Sequence, residues 1–328
     1  MDGDVLDVLI VGAGPTGLAT GIECQKAGLK TLIIEKGCLV NSLAHYPTDL
    51  VFFTTPELLE IGDLPMTSIR EKPTRGEALK YYRRVADHYH LPVRLYEKVL
   101  KIEGHDGSFV VHSQTRAGQD RSTTARKLVL ATGYYDLPNL MSVPGEDLPK
   151  VSHYYREAHP YFNCDVMIVG AKNSAAIAAL DLYRHGARVT LVHRGAALHK
   201  NIKYWIMPDI ANRIENGEIN ARFNTVVKEI GQECVLLSGP GGEEWVKNDF
   251  VLALTGYHPD FDFMASLGIH VDSATGRPQC DLQTLETNAP GVYLAGVLVA
   301  GVHTSEIFIE NGRFHGRQIA ADLAGKLL

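Results

Sequence analysis

The chain has 328 residues, of which 45% are hydrophobic and 21% charged, as is ordinary for a globular protein of two domains. A formal net charge of −6 excludes a broad basic surface for nucleic acid, and no apolar run approaches the roughly 18 residues that span a bilayer. The first residues lack a signal-peptide pattern, and five scattered cysteines do not form a disulfide framework. We therefore expect a cytoplasmic protein without a nucleic-acid partner, a membrane contact or a metal site.

Residues 7–35 predict a strand, a tight turn, a helix and a second strand. The first apolar run ends in Gly12, Gly14 and Gly17, a spacing typical of dinucleotide-binding turns. The first glycine would permit the tight turn, the second the approach of a pyrophosphate to the positive helix N-terminus, and the third the packing of helix on strand. Glu35, at the end of the second strand, would accept hydrogen bonds from a ribose 2′-hydroxyl. The position of this unit near the N-terminus favours FAD.

A polar segment with aromatic residues follows the second strand, at 36–47 and 52–56. Ligands of open α/β sheets bind just beyond the carboxyl ends of the strands. This segment is therefore predicted to lie along the cofactor and to place Tyr46 and Phe53 near its ring. An ordinary connection with a few packed aromatic side chains is the alternative.

The next elements are predicted to be a helix and a meander of strands. Thr74 and Glu77 resemble a capping box that opens a helix over 78–90, with a core stripe of Leu79, Tyr82, Val85, Ala86 and Tyr89. Short alternating runs predict strands at 93–96, 99–103, 109–115 and 127–131. The last of them ends in a tight backbone passage that often accompanies the opening glycine motif in flavoproteins, formed by Ala131, Thr132 and Gly133.

A second unit of the same kind follows a proline-rich crossing segment at 138–160. A strand with its turn, a helix and a further strand are predicted at 165–175, 176–185 and 188–193. This internal repeat indicates a second nucleotide site.

The second turn departs from the strict glycine pattern. Lys172 and Ala175 replace the second and third glycines, so that Lys172 and Ser174 could meet phosphate directly. The strand then ends in His193 and Arg194 where the first unit has an acid. A guanidinium in place of a carboxylate suits a 2′-phosphate, which favours NADPH over NADH. Arg194 as a solvated surface residue is the alternative.

The rest of the chain predicts a helix over 202–215 that is broken near Pro208, and strands that end at Gly256 and Gly296. A last helix would begin near Thr304 and run almost to Leu328. We expect it to aim its positive N-terminus at the flavin pyrimidine.

Several motifs along nearly the whole chain resemble one family. They lie at 12–18, 52–58, 61–63, 131–135, 153–154, 157–161, 170–175, 256–260 and 307–316. These stretches resemble the bacillithiol disulfide reductase family, whose members pass electrons from NADPH through FAD to an oxidised low-molecular-weight thiol. The order of the units also resembles thioredoxin reductase. The resemblance implies an α/β fold of two Rossmann-like domains, a small-molecule disulfide substrate, with bacillithiol disulfide suspected, and a homo-oligomer.

In this architecture the NADPH-binding domain, at 159–285, is inserted into the FAD-binding domain, at 1–158 and 286–328. The residues expected to contact FAD are Gly12, Gly14, Pro15, Thr16, Gly17, Glu35, Lys36, Ser42, Tyr46, Phe53, Val99, Ala131, Thr132, Gly133, Gly296 and Ile307. Those expected to contact NADPH are Gly170, Lys172, Asn173, Ser174, Ala175, His193, Arg194 and Lys203.

Two positions depart from the expected patterns. Thr16 stands where members of the resembling family carry a cysteine, so this position has no thiol role here. Val297 stands where the wider thioredoxin-reductase group has an aspartate that bonds the flavin ribityl chain.

The cysteines offer no C-x-x-C pair, and the closest two are 14 residues apart. They are Cys24, Cys38, Cys164, Cys234 and Cys280. We therefore expect hydride transfer from the nicotinamide to flavin N5, followed by direct delivery of electrons from the reduced flavin to the acceptor.

Cys38, in the loop after Glu35, is the one cysteine expected near the flavin, although a bystander thiol is the favoured interpretation. The catalytic residues are left unassigned. Tyr46 and His303 are the candidates for the flavin face.

Three other functions compete with disulfide reduction. A ferredoxin–NADP reductase of the thioredoxin-reductase type also lacks the cysteine pair. A flavin monooxygenase also uses two nucleotide motifs, but its usual Phe-x-Gly-x-x-x-His is absent, since Asp147 and Pro149 hold the matching positions before His153. A redox sensor without enzymatic activity is disfavoured by two complete nucleotide sites.

Overall fold

The computed structural model of the protein describes residues 5–303 and 305–328. The chain forms two compact units. The first contains residues up to 45, 49–137 and 257 onward, and the second contains 46–48 and 138–256.

The strands and helices of the two predicted nucleotide units follow one another in the predicted order, and the structure adds short helices at 41–44, 56–59 and 261–266. The strands are β1 (Leu6–Val11), β2 (Thr31–Ile34), β3 (Val93–Arg94), β4 (Glu97–His105), β5 (Ser108–Thr115), β6 (Asp120–Leu130), β7 (Val151–Ser152), β8 (Asp165–Val169), β9 (Arg188–Val192), β10 (Asn220–Arg222), β11 (Val226–Ile230), β12 (Cys234–Gly239), β13 (Gly242–Lys247), β14 (Phe250–Ala253) and β15 (Val292–Leu294). The helices are α1 (Pro15–Lys26), α2 (Asn41–Ala44), α3 (Pro56–Leu59), α4 (Arg75–His88), α5 (Asn173–Arg184), α6 (Met207–Glu215), α7 (Phe261–Ser266), α8 (Ile309–Gly312) and α9 (His315–Leu327). Two 3-10 turns lie at His159–Tyr161 and Gly296–Ala300.

The first unit is built on a sheet in the order β3-β2-β1-β6-β5-β4, with β15 paired to β6. The strand β6 is the centre of this sheet. Its last residues run parallel to β1 and β15, while its first half pairs antiparallel with β5 in the predicted meander. The carboxyl ends of β1, β2, β6 and β15 therefore meet at one edge, where ligands of open α/β sheets bind.

The second unit repeats the parallel arrangement in the order β10-β9-β8-β14-β7. One face of this sheet packs against α5 and α6 around Ile168, Leu191 and Leu252. The other face packs Met167, Val192 and other side chains against the antiparallel sheet of β11, β12 and β13. The predicted α/β fold with two Rossmann-like units is confirmed.

The compact units divide at other positions than the predicted domain boundaries at 158/159 and 285/286. The segment 138–158 belongs to the second unit because its strand β7 pairs with β14. The segment 257–285 belongs to the first unit, where the Leu294 amide donates to the Leu285 carbonyl and the Val302 amide to the Thr275 carbonyl. The pairing of β7 with β14 joins residues far apart in sequence.

In α4 the predicted capping box is confirmed, but the buried face of the helix consists of other residues than the predicted core stripe. The Glu77 amide donates to Thr74 Oγ1 at 3.3 Å and the Thr74 amide donates to Glu77 Oε2 at 2.7 Å. Hydrogen bonds from the Thr74 and Ile69 amides to the Glu77 carboxylate lower the pKa of Glu77 to about 2. The buried residues are Ala78, Tyr81, Tyr82 and Val85, whereas the predicted Leu79, Ala86 and Tyr89 are only partly buried. Two tyrosines can be buried there because backbone groups of residues 59–64 bond their hydroxyls.

Two predicted helices begin later than expected. The helix predicted over 202–215 starts at Met207, because Pro208 occupies its first turn, where a proline costs no backbone bond. The last helix is interrupted, with α8 ending at Gly312 and α9 starting at His315. The side-chain amide of Asn311 binds the backbone of Phe308 and Glu306, which replaces helical bonds before Ile309. The start predicted near Thr304 lies outside the described residues.

Two glycines of α9 provide a matched test of this packing. A Cβ on Gly316 would lie 2.8 Å from the Thr20 backbone of α1, whereas a Cβ on Gly325 meets no atom within 4 Å. We expect Gly316→Ala to lower the free energy of unfolding by about 1–3 kcal/mol through overpacking. Gly325→Ala should raise it by up to about 1 kcal/mol, because alanine loses less entropy in a helix. Denaturant unfolding of both variants measures this, and equal shifts would contradict the close α1–α9 contact.

Candidate active site

The glycine turn of the first unit brings three backbone segments into contact. Gly12 has a φ of +108°, and a Cβ there would lie 2.5 Å from the Ala131 carbonyl oxygen at the end of β6. A Cβ on Gly17 would overlap the Gly12 carbonyl oxygen and lie 3.3 Å from the Ala131 Cβ. The packing roles predicted for Gly12 and Gly17 are confirmed by these contacts.

Gly14 faces open space at the start of α1. A Cβ on this residue would meet no protein atom within 4 Å. No side chain caps the first turn of α1, whose first helical residue is Pro15. The amides of this turn therefore have no side-chain cap and adjoin open space at Gly14, which fits an anionic group such as a pyrophosphate.

Glu35 is buried at the end of β2. Its Oε2 accepts from the Ala13 amide and its Oε1 accepts from the Gly37 amide, both at 2.8 Å. Burial raises the pKa of Glu35, while the two amide bonds act in the opposite direction. Each carboxylate oxygen keeps a lone pair for a further donor, as the predicted contact with ribose hydroxyls requires.

The segment after Glu35 is more ordered than the predicted polar loop. Val40 takes a left-handed conformation, and its amide donates to the Ala13 carbonyl at 3.0 Å, which returns the chain to the glycine turn. The short helix α2 follows, and Arg75 of α4 donates to its last carbonyls at Leu43 and Ala44. A second short helix, α3, occupies part of the predicted loop at 52–56 and beyond.

The end of β15 joins this site through two further glycines. Gly296 has a φ of +78°, and a Cβ there would lie 3.1 Å from Thr16 Oγ1. A Cβ on Gly312 would lie 3.4 Å from both Gly296 Cα and Thr16 Oγ1, and 3.3 Å from Ile307 Cγ2. The predicted FAD residues Thr16, Gly296 and Ile307 are thus close together.

Four other predicted FAD residues are not among those whose contacts form the glycine turn of the first unit. Lys36 forms an ion pair of 2.8 Å with Asp136, which follows the Ala131–Gly133 passage. Val99 lies beside a register shift of β4, and Ser42 lies on α2. Phe53 is 40% exposed. Their contact with the cofactor remains a prediction.

The two candidates for the flavin face, Tyr46 and His303, are not among the residues that pack around the glycine turn of the first unit. Tyr46 belongs to the second compact unit, together with Pro47 and Thr48. His303 is exposed, and its amide donates to the Ala300 carbonyl. Neither role follows from these positions, and both remain predictions.

The second unit repeats the backbone contact of the first. Gly170 has a φ of +143°, and a Cβ there would lie 2.5 Å from the Leu254 carbonyl oxygen, which follows β14. The same Cβ would lie 3.3 Å from the Ala175 Cβ of α5. Leu254 therefore holds the place of Ala131, and Gly170 that of Gly12.

The start of α5 is held by a later segment of the chain. The Lys203 amide donates to Asn173 Oδ1 at 2.9 Å, and Asn173 Nδ2 donates to the Asn201 carbonyl at 3.3 Å. The His199 amide donates to the Ala171 carbonyl at 2.9 Å. No side chain caps α5, and both Lys172 and Ser174 are exposed beside its first turn. This turn fits an anionic group as the first one does.

The strand registers show which residue corresponds to Glu35. Val11 pairs with Ile34 in the first unit, and Val169 pairs with Val192 in the second. The next residue is Glu35 in one unit and His193 in the other, so an imidazole holds the place of the carboxylate. Burial lowers the pKa of His193, and the nearby Arg194 and His199 lower it further. Arg194 itself is exposed.

Two histidines were missed by the sequence interpretation. His199 lies near His193, and the basic pair that it forms with Lys200 in the sequence could have indicated it. His315 is partly buried at the start of α9, and its Nδ1 accepts a hydrogen bond of 3.0 Å from the Gly296 amide. No local pattern joins His315 to Gly296.

Comparison with known proteins identifies the family. Residues 9–296 match the family described as pyridine nucleotide-disulphide oxidoreductase. The chain belongs to this family. It is 46% identical over 318 residues to the bacilliredoxin reductase Bdr of Bacillus subtilis, which covers 96% of this chain and 97% of that protein.

Solved structures agree with this assignment. The bacillithiol disulfide reductase Bdr (YpdA) from Bacillus cereus is 45% identical with a TM-score of 0.97, covering 98% of this chain and 100% of that chain. The protein of the same name from Staphylococcus aureus is 41% identical with a TM-score of 0.94, covering 99% and 100%. A thioredoxin reductase from Lactococcus lactis, 22% identical with a TM-score of 0.76 over 98% and 100%, shows the shared fold alone.

The predicted family resemblance and the thioredoxin-reductase-like fold are thus confirmed. The protein is an oxidoreductase that uses FAD and NAD(P)H. Within residues 5–303 and 305–328, no cluster of histidine, cysteine or acidic side chains could hold a metal ion. Over the same residues, no helix is both long and apolar enough to cross a membrane.

Gly14 offers a direct test of the FAD turn. We expect Gly14→Val to lose most of the bound flavin, because its side chain would fill the space beside the α1 amides. Gly241→Val is the matched control, since a Cβ on Gly241 also meets open space but lies in the second unit. The flavin-to-protein absorbance ratio of the purified proteins measures the effect. Full flavin content in Gly14→Val would place the pyrophosphate elsewhere.

Proposed function

We propose that this protein uses NADPH and FAD to reduce a low-molecular-weight disulfide, with bacillithiol disulfide as the substrate. The observation that carries the proposal is the repeated turn, with Gly12 and Gly170 packed in the same way and an imidazole, His193, at the register position of the Glu35 carboxylate. The choice of substrate rests on the Bacillus cereus protein, which is named a bacillithiol disulfide reductase and to which this chain is 45% identical over 98% of its length.

In the first unit, the amides at the start of α1 would hold the FAD pyrophosphate and Glu35 would hold its ribose. The Gly12 passage against Ala131 keeps side chains away from this region. When bound, the flavin accepts two electrons from the pyridine nucleotide and can pass them to a disulfide. The part of the protein is then to fix the cofactor and to exclude competing groups.

In the second unit, the start of α5 would hold the NADPH pyrophosphate. Lys172 and Ser174 stand beside this turn, and Lys203 is tied to it through Asn173. His193 and Arg194 would meet the 2′-phosphate, since the carboxylate that would repel it is absent at this register position. This arrangement favours NADPH over NADH.

The cysteines support direct delivery of electrons to the acceptor. Burial raises the pKa of Cys24 to about 12, and burial also raises the pKa of Cys38 and of Cys280. Cys38 Sγ lies 3.6 Å from Asn41 Oδ1. A protonated thiol is a poor nucleophile, so these residues are weak candidates for exchange with a substrate disulfide.

A second candidate acceptor is a disulfide carried by a small redox protein. It is favoured by the name of the Bacillus subtilis relative, a bacilliredoxin reductase. Both candidates need the same flavin and nucleotide sites and differ only in the size of the acceptor. We also propose that the protein acts in the cytoplasm as a homo-oligomer, as the sequence led us to expect.

Arg194 tests the preference for NADPH. A charge-assisted hydrogen bond to the 2′-phosphate contributes about 1.5–3 kcal/mol, so Arg194→Ala should raise the KM for NADPH about tenfold or more. The KM for NADH should change little. Arg188→Ala is the control, because Arg188 lies at the other end of β9 and pairs with Asp165. Equal losses with both nucleotides would show that Arg194 does not recognise the phosphate.

The acceptor and the electron path can be tested in one experiment. The holoenzyme is reduced with NADPH in a stopped-flow instrument, and flavin reoxidation is timed with bacillithiol disulfide, a bacilliredoxin disulfide, ferredoxin and oxygen. The same traces are recorded for Cys38→Ser, which keeps the size of the side chain but cannot exchange with a disulfide. We expect a small disulfide to reoxidise the wild type fastest, and the variant to retain most of both half-reactions.

Two outcomes would contradict these expectations. Selective loss of reoxidation in Cys38→Ser would assign that thiol to the electron path. Reoxidation by oxygen or ferredoxin alone would replace disulfide reduction by one of the competing functions.

A further inference from the structure

His315 stands where α9 meets the end of β15. Its Nδ1 accepts from the Gly296 amide at 3.0 Å, so a neutral ring carries its proton on Nε2. The side chain is mostly buried, and burial lowers the pKa of His315. The positive end of α9 acts in the same direction, because it disfavours a cation at a helix N-terminus.

The amide that His315 holds belongs to a crowded backbone junction. The neighbouring Ala295 amide donates to the Leu130 carbonyl at 2.8 Å, which fixes the chain to the end of β6. Gly296 then turns with a positive φ beside Thr16, in the first turn of α1. A shift of Gly296 would therefore displace the start of the helix whose amides face the pyrophosphate position.

The Gly296 amide depends on this one side chain. Gly296 is buried, and a buried amide that loses its acceptor costs about 1–3 kcal/mol. Backbone at a positive φ next to Thr16 has little room to find another acceptor.

We propose that His315 is a positioning residue, whose neutral imidazole fixes Gly296 against Thr16 and so holds the α1 turn in the form that retains FAD. The proposal rests on the proposed function in one respect, that FAD lies at this turn. Protonation of Nδ1 removes the acceptor, so the turn loosens in acid.

Most of the charged groups on the elements around His315 are paired with groups other than this histidine. On α1, Glu23 pairs with Lys26 and lies 3.8 Å from Arg317 of α9. On the link between α8 and α9, Arg313 donates to the carbonyls of Glu57 and Glu60. The further groups on α8 and α9 are Glu310, Asp322 and Lys326, and the last two pair with each other. The protonation of the ring is thus governed by burial.

The sign of the pH effect follows from the lowered pKa. Below pH 6.5 the unfolded chain binds a proton at this histidine while the folded chain resists it. The contribution of His315 is complete above pH 6.5, and it is lost as the pH falls through the lowered pKa. Retention of FAD should weaken over the same range.

The test measures FAD release from the purified holoprotein, followed by flavin fluorescence between pH 4.5 and 8. His315→Asn keeps an acceptor near Nδ1 but cannot titrate, and His315→Phe removes the acceptor. We expect release from the wild type to accelerate about tenfold in acid, with less acceleration in the asparagine variant. The phenylalanine variant should release FAD about tenfold faster at every pH, in line with the loss of one buried hydrogen bond.

Glu35 provides the main competing titration, because burial also raises its pKa. It is present in all the variants, so the difference between wild type and His315→Asn belongs to His315. His88→Asn, at an exposed position of α4, is the control for removing a titrating histidine. The thermal midpoint of the flavin-free proteins against pH gives a second reading.

Identical pH profiles for wild type and His315→Asn would overturn the proposal and leave the function standing. If the phenylalanine variant does not fold, the comparison of wild type with the asparagine variant still decides the proposal. A wild-type protein that binds no FAD at any pH would instead overturn the proposed function.

Discussion

In each unit, the first glycine of the turn packs directly against the backbone at the end of a neighbouring parallel strand, and the nucleotide site depends on this contact. A Cβ on Gly12 would strike the Ala131 carbonyl, and a Cβ on Gly170 would strike the Leu254 carbonyl at the same distance of 2.5 Å. These contacts bring the strand that starts each unit, the strand beside it and the first turn of the following helix to one edge. The Cβ position of Gly14 in the first unit adjoins open space, and neither α1 nor α5 has a side-chain cap.

In the two units, the same register position carries chemically different side chains, an acid in one and an imidazole in the other. Glu35 and His193 both follow the last paired residue of the second strand. The buried carboxylate is held by two amides and can only accept further hydrogen bonds from hydroxyls, whereas the imidazole lies among cationic neighbours. In the proposed function, the backbone at the two turns would hold the pyrophosphates, and this position would distinguish the riboses.

The sequence predicted those parts that depend on local patterns. The strand, turn and helix around Gly12 and the capping box of Thr74 were correct because each is formed by neighbouring residues. The predicted domain boundaries and the start of the last helix depended on distant pairings and on one side-chain amide, and they differ in the structure. The bond between His315 and Gly296 joins residues 19 apart without a shared motif, so sequence alone could not reveal it. The contacts of Phe53, Tyr46 and Val99 with the cofactor stay predictions.

The position of Thr16 explains how this chain can work without a thiol at the turn. Its side chain lies beside Gly296 and Gly312, so it fills the junction between α1, the end of β15 and α8. A β-branched residue there restricts the approach of the three segments, and this is a packing role that needs no redox chemistry. Burial raises the pKa of Cys38, the cysteine in the loop after Glu35. In the proposed function, electrons leave the flavin without a cysteine relay, and discrimination among acceptors then comes from access and orientation.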